Sequence, residues 1–544
     1  MPHEERHEDP RPQQGPADSP GSPDWIHRAV IYGVDVLRFQ DSDGDGDGDL
    51  KGLVERLDHV QRLGADCIWL LPFYPSERRD NGYDVTNHLG VDPRIGELDD
   101  FRLLAEQAHA RGIRLLLDVV LHHTSNRHPW FQAAESDPRS RFRDYYIWRT
   151  TKPPDSAAES AFPNEPGADG IWAWSERARA FYRHKFYDFE PDLRIASDAL
   201  WEEVKGILDF WIALGADGFR IDAAGELFAD IGLPGDQADA GRRLDDLRAY
   251  LRHRAPGVAL LGEVDLAPDR LPTFFDRGRI DQLLAFLPNN ALMLSLATED
   301  AEPLCAAVAS HDAAVQHGAW RQFLRNLDEL NLSHLSDEQR ETVFRVFAPE
   351  EDQRIYGRGI RRGWAPMMAH ERRQRMTVSL LFALPGAPLL VAGQEIGTGD
   401  DLGLEGRAAV RLPMQWSAEP GGGFSTSREG QAAHLVTEGP YGIGAVNVAD
   451  QERDPRSLLH LVRALVRLWR EHEEIASPEA ERLEADTAVI AFRYGSIIAA
   501  HNLAADPRAL PEAMTGGEPL LGDETVDGQL LPGYGFRWVR LREG

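Results

Sequence analysis

Cysteine is scarce in this chain: among 544 residues, only Cys67 and Cys305 carry a thiol. Cys67 lies in an apolar run typical of a buried strand, so we expect no disulfide between the two. This scarcity excludes a small secreted fold held together by disulfides. Two unpaired thiols are typical of a reducing compartment, and the sequence therefore predicts a cytoplasmic protein.

Long apolar runs are also lacking. No stretch approaches the roughly 20 apolar residues that a membrane-spanning helix needs, so we expect no membrane partner. Residues 1–24 are polar and rich in proline, without the apolar centre of a signal peptide. Their composition predicts a disordered N-terminal tail.

Lysine is scarce, and acidic residues outnumber basic ones by 89 to 59. Lysine occurs only at positions 51, 152, 185 and 205, and the net charge is −30. Such an excess of acid argues against nucleic acid as a partner. It suits a neutral substrate or a bound cation, although solubility alone is the simpler explanation. The composition does not specify the oligomeric state, and a homo-oligomer is one possibility.

The chain does contain a regular alternation of apolar runs and amphipathic stretches between about residues 29 and 400. Continuous apolar runs with helices between them are typical of a parallel sheet covered on both faces. Eight runs fit a closed (β/α)8 barrel, a TIM barrel, better than an open sheet. The predicted strands are 29–34, 66–72, 113–121, 218–222, 259–264, 282–287, 322–326 and 388–393.

The remaining segments break this alternation. Residues 124–200 are rich in proline, arginine and aromatic residues without a clear period, which indicates a subdomain inserted after the third strand. Residues 487–504 alternate like antiparallel strands. The sequence thus predicts an α/β protein with three parts after the tail: a barrel over 25–123 and 201–475, the inserted subdomain over 124–200, and a C-terminal antiparallel β-sandwich domain over 476–544.

In a barrel of this type, functional side chains gather where the strands end. The third run ends in Asp118 and His123, the fourth in Asp222, the fifth in Glu263 and the seventh in Asp328. A single aspartate at a strand end often does no more than cap the next helix. Polar side chains at four strand ends favour a common site instead.

Paired carboxyl groups on one rim suit the cleavage of a glycosidic bond, in which one group is ionised and the other holds a proton. Arg220 precedes Asp222 by two residues and shares its face of the strand, where a guanidinium would lower the pKa of that carboxyl. Asp222 is therefore predicted to be the nucleophile. Glu263 follows an apolar run that would raise its pKa, which suits the acid/base. Asp328 would stabilise the substrate hydroxyls and the positive charge of the transition state.

The same strand ends resemble a known family. GFRIDA (218–223), LLDVVLHH (116–123), LLGEV (260–264) and RNLD (325–328) resemble, in order, the signature regions of the α-amylase superfamily, glycoside hydrolase family 13. The resemblance implies the same roles for the three acids. It also implies that Tyr83, in DNGYD (80–84), stacks on the first sugar ring, in a subsite completed by Asp80, His123 and Arg220.

Within this family the chain is most similar to trehalose synthases. WLLPFYPSERRDNGYD (69–84), HHTSNRHPWFQAA (122–134) and RLPMQWS (411–417) resemble that group. The resemblance implies a small oligosaccharide or α-glucoside as substrate and no organic cofactor. Phe131 is interpreted as lining the sugar cleft and Arg411 as lying on a lid over it. Aromatic core packing and a solvated loop are the respective alternatives.

The chain departs from the family pattern at two positions near the expected site. The family has histidine between the residues that match Asn326 and Asp328, whereas this chain has Leu327. Leucine cannot donate a hydrogen bond to a sugar hydroxyl, and the loss costs about 2–4 kcal/mol of transition-state stabilisation. We expect Asn326 and Leu327 to line the sugar site, with weak activity on glucose or a different preferred sugar. His122 replaces an asparagine that helps to hold calcium in some members.

An acidic loop, DSDGDGDGDL (41–50), has aspartate at nearly every second position. Hard cations bind to several oxygens from a tight loop of this kind. A similar loop in α-glucosidase-like members of the family holds structural Ca²⁺. By that resemblance the ligands are the carboxylates of Asp41, Asp43, Asp45 and Asp49, with the carbonyl oxygen of Asp47. The alternative is an acidic turn without a metal.

Three functions are compatible with the sequence. The first is a trehalose synthase-like isomerase or transglucosylase that works through a covalent glycosyl-aspartate. The second is an α-glucosidase that passes the same intermediate to water. The third belongs to another class, a catalytically impaired sugar-binding homologue, and is prompted by Leu327. Retention of Asp222, Glu263, Asp328 and Arg220 argues against the third.

Overall fold

The computed structural model describes residues 23–155, 159–162, 170–229, 237–314, 320–426, 434–476 and 480–542. Most of the predicted tail lies outside these residues. Its last two residues, Pro23 and Asp24, instead begin a short 3-10 helix, Pro23–His27. The tail prediction is wrong at these two positions, because the buried side chains of Trp25 and Ile26 hold the helix against the protein.

Eight parallel strands form a closed barrel, which confirms the predicted fold class. Each strand pairs with its neighbour in chain order, and the first pairs with the last. The strands are β1 Ile31–Val34, β2 Cys67–Leu70, β3 Arg114–Val119, β4 Gly218–Ile221, β5 Ala259–Gly262, β6 Gln282–Leu284, β7 Trp320–Phe323 and β8 Ala387–Val391. All eight predicted runs overlap one of these strands.

The strands are apolar throughout because both of their faces are buried. In β2, for example, Cys67 and Trp69 belong to a cluster inside the barrel, whereas Ile68 and Leu70 belong to the cluster beneath the helices. Arg321 of β7 is fully buried and donates hydrogen bonds to backbone carbonyl oxygens at the opposite end of the barrel from the strand ends that carry the acids. This end of the barrel is therefore a packed core.

Helices surround the barrel and connect its strands. Their bounds are Leu50–Glu55, Leu57–Leu63, Leu98–Ala110, Pro129–Ser136, Asp198–Leu214, Ala224–Ala229, Gln237–Arg254, Pro272–Phe275, Phe286–Thr298, Glu302–Ala314, Asp337–Phe347, Trp364–Met368, Glu371–Ala383, Val448–Arg453 and Leu458–Glu471. Within the described ranges, none of them has the length and apolarity needed to cross a bilayer.

Two small sheets rise above the rim of the barrel. The segment after β3 contributes one of them, with strands Trp148–Arg149, Trp172–Ser175 and Ala180–Arg183. The segment after β7 contributes the other, with strands Leu330–Asn331, Arg354–Ile355 and Gly359–Ile360. They place extra chain beside the strand ends at which the acids lie.

The C-terminal part is antiparallel, as predicted. Its larger sheet contains strands Glu481–Arg482, Val489–Tyr494, Ile497–Asn502, Glu518–Gly522 and Phe536–Arg540, and a two-stranded sheet pairs Arg508–Ala509 with Leu530–Leu531. The larger sheet packs on helix Glu371–Ala383, where Trp538 donates a hydrogen bond to Ser379 Oγ over 2.8 Å. This domain therefore packs against the layer of helices around the barrel.

Candidate active site

A cavity of about 310 Å³ opens at the carboxyl ends of the barrel strands. Its volume lies at the small end of the range for small-molecule sites. Seven residues predicted for the sugar site line it: Asp80, Tyr83, His123, Asp222, Glu263, Asn326 and Asp328. The structure therefore brings together side chains from the ends of five different strands.

The strands place two of the acids directly. Asp222 follows β4, and its backbone N–H donates to the Val119 carbonyl over 3.1 Å. Glu263 follows β5, and its backbone N–H donates to the Ile221 carbonyl over 3.1 Å. The hydrogen bonds between neighbouring barrel strands continue to these two residues. Both carboxyl groups are therefore attached to rigid backbone at the rim.

Arg220 lies beneath the acids, fully buried, and contacts three carboxyl groups. Its Nη1 atom is 2.6 Å from Asp222 Oδ1 and 2.7 Å from Asp118 Oδ1. Its Nη2 atom is 2.7 Å from Glu263 Oε2. One guanidinium thus contacts both candidate catalytic carboxyl groups. The sequence had predicted this contact for Asp222 alone.

The pKa values of the two acids differ from the sequence prediction for Asp222. Burial raises the pKa of Asp222 to about 7, although the Arg220 guanidinium acts to lower it. Burial likewise raises the pKa of Glu263 to about 7, against the opposing effect of Arg220. The prediction of a lowered pKa for Asp222 is wrong, because Arg220 is shared with two other carboxyl groups and does not offset the desolvation of the Asp222 carboxyl.

In contrast to Asp222 and Glu263, Asp328 has surroundings that lower its pKa. Its Oδ1 atom lies 2.6 Å from Arg411 Nη2 and 3.1 Å from Arg407 Nη1. Burial acts to raise the pKa of Asp328, but these two guanidinium groups outweigh it and hold the pKa below its ordinary value. Asp328 is therefore ionised at neutral pH and presents a negative charge to the cavity.

Tyr83, His123 and Asp80 add further polar groups to the cavity lining. Tyr83 donates its hydroxyl proton to Asp118 Oδ2 over 3.1 Å, which fixes the orientation of its ring. Burial lowers the pKa of His123 to about 3, so this imidazole is neutral near pH 7. Burial also raises the pKa of Asp80, against the nearby cations Arg407 and Arg411. A neutral imidazole can both donate to and accept from sugar hydroxyls.

Four predicted sugar contacts do not line this cavity. Arg220, described above, lies beneath the acids. The side chain of Phe131 packs in the aromatic cluster of the inserted subdomain, which also holds Tyr146 and Tyr182. Leu327 has a backbone φ of +71° and belongs to the apolar cluster inside the barrel. Arg411 lies behind Asp328, where its Nε atom donates to the Leu327 carbonyl over 2.7 Å. Apolar packing holds Phe131 and Leu327 away from the cavity, and the Asp328 ion pair holds Arg411 away from it. Their role as sugar contacts stays a prediction.

The structure adds cavity residues that the sequence did not single out. Arg407 is held by Asp328 and by Glu329 Oε2, which lies 2.8 Å from its Nε atom, and its guanidinium lies over the Phe162 ring. Asp265 lines the wall next to Glu263. Arg407 lies in a short 3-10 helix, Gly406–Val410, which has no apolar periodicity in the sequence that would mark it. Asp265 could have been found from the sequence, because it is an acidic residue only two positions after Glu263.

The acidic loop brings three of its predicted ligands together. Carboxylate oxygens of Asp41, Asp43 and Asp49 lie within 4.8 Å of one another, which fits a hard cation. Burial and the neighbouring carboxylates raise the pKa of Asp43, an effect that a bound cation would relieve. Asp45 is not part of this group, and its Oδ1 atom accepts a hydrogen bond from Asp47 N over 2.9 Å. The residues fit a metal through three of the four predicted carboxylates.

Comparison with known proteins gives consistent matches. The sequence profile of the alpha-amylase catalytic domain matches residues 34–477. Trehalose synthase/amylase TreS of Mycobacterium tuberculosis is 35% identical over 98% of this chain and 93% of that protein. Trehalose synthase of Pimelobacter sp. is 32% identical over 96% of each. Trehalulose synthase MutB from Pseudomonas mesoacidophila MX-45 has a TM-score of 0.76, covering 96% of this chain and 100% of that one at 22% identity, a likeness of fold.

Proposed function

This chain belongs to the α-amylase family, glycoside hydrolase family 13, and we propose that it is a trehalose synthase-like enzyme that isomerises small α-glucosides. The proposal rests chiefly on one observation, the contact of Arg220 with both Asp222 and Glu263 at the rim of a small cavity. Two carboxyl groups that share one cation in this way suit a double displacement.

In the first step, the Asp222 carboxylate attacks the anomeric carbon of the donor sugar while Glu263 gives its proton to the glycosidic oxygen. The bond between that carbon and oxygen breaks, the second sugar leaves as an alcohol, and a glycosyl ester forms on Asp222. The raised pKa of Glu263 supports this role, because a carboxyl with a pKa of about 7 still holds a proton near neutral pH.

In the second step, the Glu263 carboxylate takes a proton from an incoming hydroxyl, whose oxygen attacks the anomeric carbon and displaces Asp222. When that hydroxyl belongs to the released sugar at a different position, the product is an isomer of the starting disaccharide. When it belongs to water, the product is the free sugar. The active site must therefore retain the released sugar and exclude water during this step.

The charges around the cavity support this chemistry. Positive charge develops at the anomeric carbon in both steps, and the ionised Asp328 carboxylate faces the cavity. Electrostatic stabilisation of this kind is worth several kcal/mol because the groups are fixed and partly shielded from water. Tyr83, Asp80 and the neutral His123 supply the polar contacts for the donor sugar.

Product analysis tests the proposal. The enzyme is incubated with maltose, trehalose, sucrose and aryl α-glucosides, with and without acceptor sugars, and compared with Asp222→Ala. Trehalose formed from maltose would support the isomerase. Glucose as the sole product would favour an α-glucosidase. No turnover of any substrate, and no difference from Asp222→Ala, would indicate a sugar-binding homologue.

We further propose that the acidic loop holds a structural Ca²⁺ ion, with the carboxylates of Asp41, Asp43 and Asp49 as ligands. The cation would supply fixed positive charge where three carboxylates meet. It would also stabilise the start of helix Leu50–Glu55, because Asp49 caps this helix by accepting from Gly52 N over 2.8 Å. The loop lies outside the cavity lining, so the proposed ion has no part in the chemistry.

A cytoplasmic location is part of the same proposal. Cys67 and Cys305 are both free and buried, as expected of thiols in a reducing compartment. Cell fractionation followed by detection of the protein would test this location.

A further inference from the structure

Asp265 accepts hydrogen bonds from three side chains of one loop. Its Oδ2 atom accepts from Asn331 Nδ2 over 2.6 Å and from Ser333 Oγ over 3.1 Å. Its Oδ1 atom lies 2.5 Å from Nε2 of His334, which donates to the carboxylate. We refer to these four residues as the Asp265 network. A carboxylate with three donors holds its position firmly, because charge-assisted hydrogen bonds are the stronger ones.

The Asp265 network joins two parts of the rim that are not neighbours in the barrel. Asp265 lies two residues after Glu263, beyond β5, whereas its three partners follow Asp328, beyond β7. Strand β6 lies between these strands. Asn290, on the helix that follows β6, completes the link, since its Nδ2 donates to the Asn331 carbonyl over 2.8 Å and its Oδ1 accepts from His334 N over 3.2 Å.

The network forms one wall of the cavity. Asp265, Asn331 and Ser333 all line it. The proton that Glu263 transfers goes to the oxygen shared with the second sugar, so a wall that begins two residues after Glu263 is well placed to border that sugar. Tyr83 and His123, which are assigned to the donor ring, belong to other strand ends.

We propose that Asp265 is a positioning residue for the second sugar of the substrate: its network holds the loops after β5 and β7 together, and so retains the released sugar for re-attack. This inference rests on the proposed function, and it adds the residue that decides between transfer and hydrolysis. The ligand class is the reducing-end sugar of an α-linked disaccharide, bound through its hydroxyl groups.

Asp265→Asn provides a test because it preserves size while removing the charge. An asparagine places an amide N–H₂ where the carboxylate accepted, so at least one of the three donors loses its partner. The loops then separate more readily, the released sugar escapes and water enters. We expect the ratio of trehalose to glucose formed from maltose to fall about tenfold.

This ratio does not depend on how much of the enzyme is folded, so general destabilisation leaves it unchanged. Asp269→Asn, an exposed acid on the same loop, is the matched control and is expected to leave the ratio at the wild-type value. His334→Gln weakens the network from its other side and is expected to lower the ratio. The double variant is expected to lower it no further than Asp265→Asn alone, because both changes break one network.

A second readout separates this inference from the proposed function. The values of kcat/KM are compared for maltose, which has a second sugar, and 4-nitrophenyl α-glucoside, which has none. Asp265→Asn is expected to lower the value for maltose about tenfold more than the value for the aryl glucoside. If wild type forms no trehalose, the proposed isomerase is wrong while this comparison still tests the network. Equal losses on both substrates, with an unchanged product ratio, would overturn the role of Asp265.

Discussion

Arg220 Nη1 lies 2.6 Å from Asp222 Oδ1, and the same guanidinium reaches Glu263 through its other terminal nitrogen. The two acids are therefore coupled through one cation. Both have pKa values raised to about 7 by burial. The productive state has one proton on the pair, on Glu263, with Asp222 ionised.

The pH dependence of kcat/KM follows from this coupling. As the pH falls below the pKa of Asp222, the nucleophile takes up a proton and activity is lost. As the pH rises above the pKa of Glu263, the acid loses its proton and activity is again lost. We expect a narrow bell-shaped profile with its maximum near pH 7, whose two limbs belong to the pair of acids.

The alkaline limb can be assigned by changing the leaving group. A 2,4-dinitrophenyl α-glucoside needs no proton for departure, so its kcat/KM is expected to stay level at alkaline pH in wild type. Glu263→Gln should show the same level profile with this substrate. An alkaline limb that persisted in Glu263→Gln would show that another group supplies the proton.

Arg407→Lys tests whether the cation beside Asp328 must contact two carboxylates at once, or whether its charge alone is sufficient. Lysine keeps the charge but cannot reach Asp328 and Glu329 together, as the two arms of the guanidinium do. We expect kcat/KM for 4-nitrophenyl α-glucoside to fall about 10- to 100-fold, because Asp328 is less well held and less strongly ionised. Arg456→Lys, at an exposed position, is the control. Wild-type kinetics in Arg407→Lys would contradict this assignment.

Leu327→His restores the residue that the family pattern has at this position. Because the Leu327 side chain packs in the apolar cluster inside the barrel, we expect the imidazole to lose its hydrogen bonds to water and to destabilise the protein by about 1–3 kcal/mol. The melting temperature should fall, and kcat/KM should not improve. Leu327→Met, which preserves volume, is expected to be nearly neutral. A tenfold gain in kcat/KM would instead show that this position faces the sugar.

Calcium is expected to raise the melting temperature of the wild-type protein, measured in millimolar Ca²⁺ against a chelator. A ligand that binds only the folded state at 100 times its Kd adds about 2.7 kcal/mol of stability. Asp41→Asn should abolish the difference. Asp47→Asn should retain it, because the Asp47 side chain is not in the carboxylate group. Identical wild-type melting curves under both conditions would argue against the metal.

The sequence was sufficient for the barrel and for the principal acids. Each barrel strand is a short apolar run, and this pattern is local because a parallel strand buries both faces wherever it lies. Asp222 and Glu263 directly follow such runs. Since all parallel strands end at one rim, finding the strand ends was enough to predict that these acids meet.

Contacts made by loops could not be predicted in the same way. Leu327 and Phe131 each lie within a family motif, yet both side chains turn into apolar clusters. Arg407 has no pattern around it, yet it lines the cavity between Asp328 and Glu329. A loop has no period, so the direction of its side chains depends on packing against distant parts of the chain.

By itself, then, the sequence determined the family, the barrel and the carboxyl groups at its rim, because these depend on burial patterns and spacing along single strands. Only the tertiary structure decided how the acids are charged and which loops close the cavity. The pKa of Asp222 depends on how many carboxyl groups share Arg220 and how far all of them are buried. The contact of Asp265 with His334 depends on two loops meeting above β6. Both the pKa and the contact depend on residues that lie far apart in the chain.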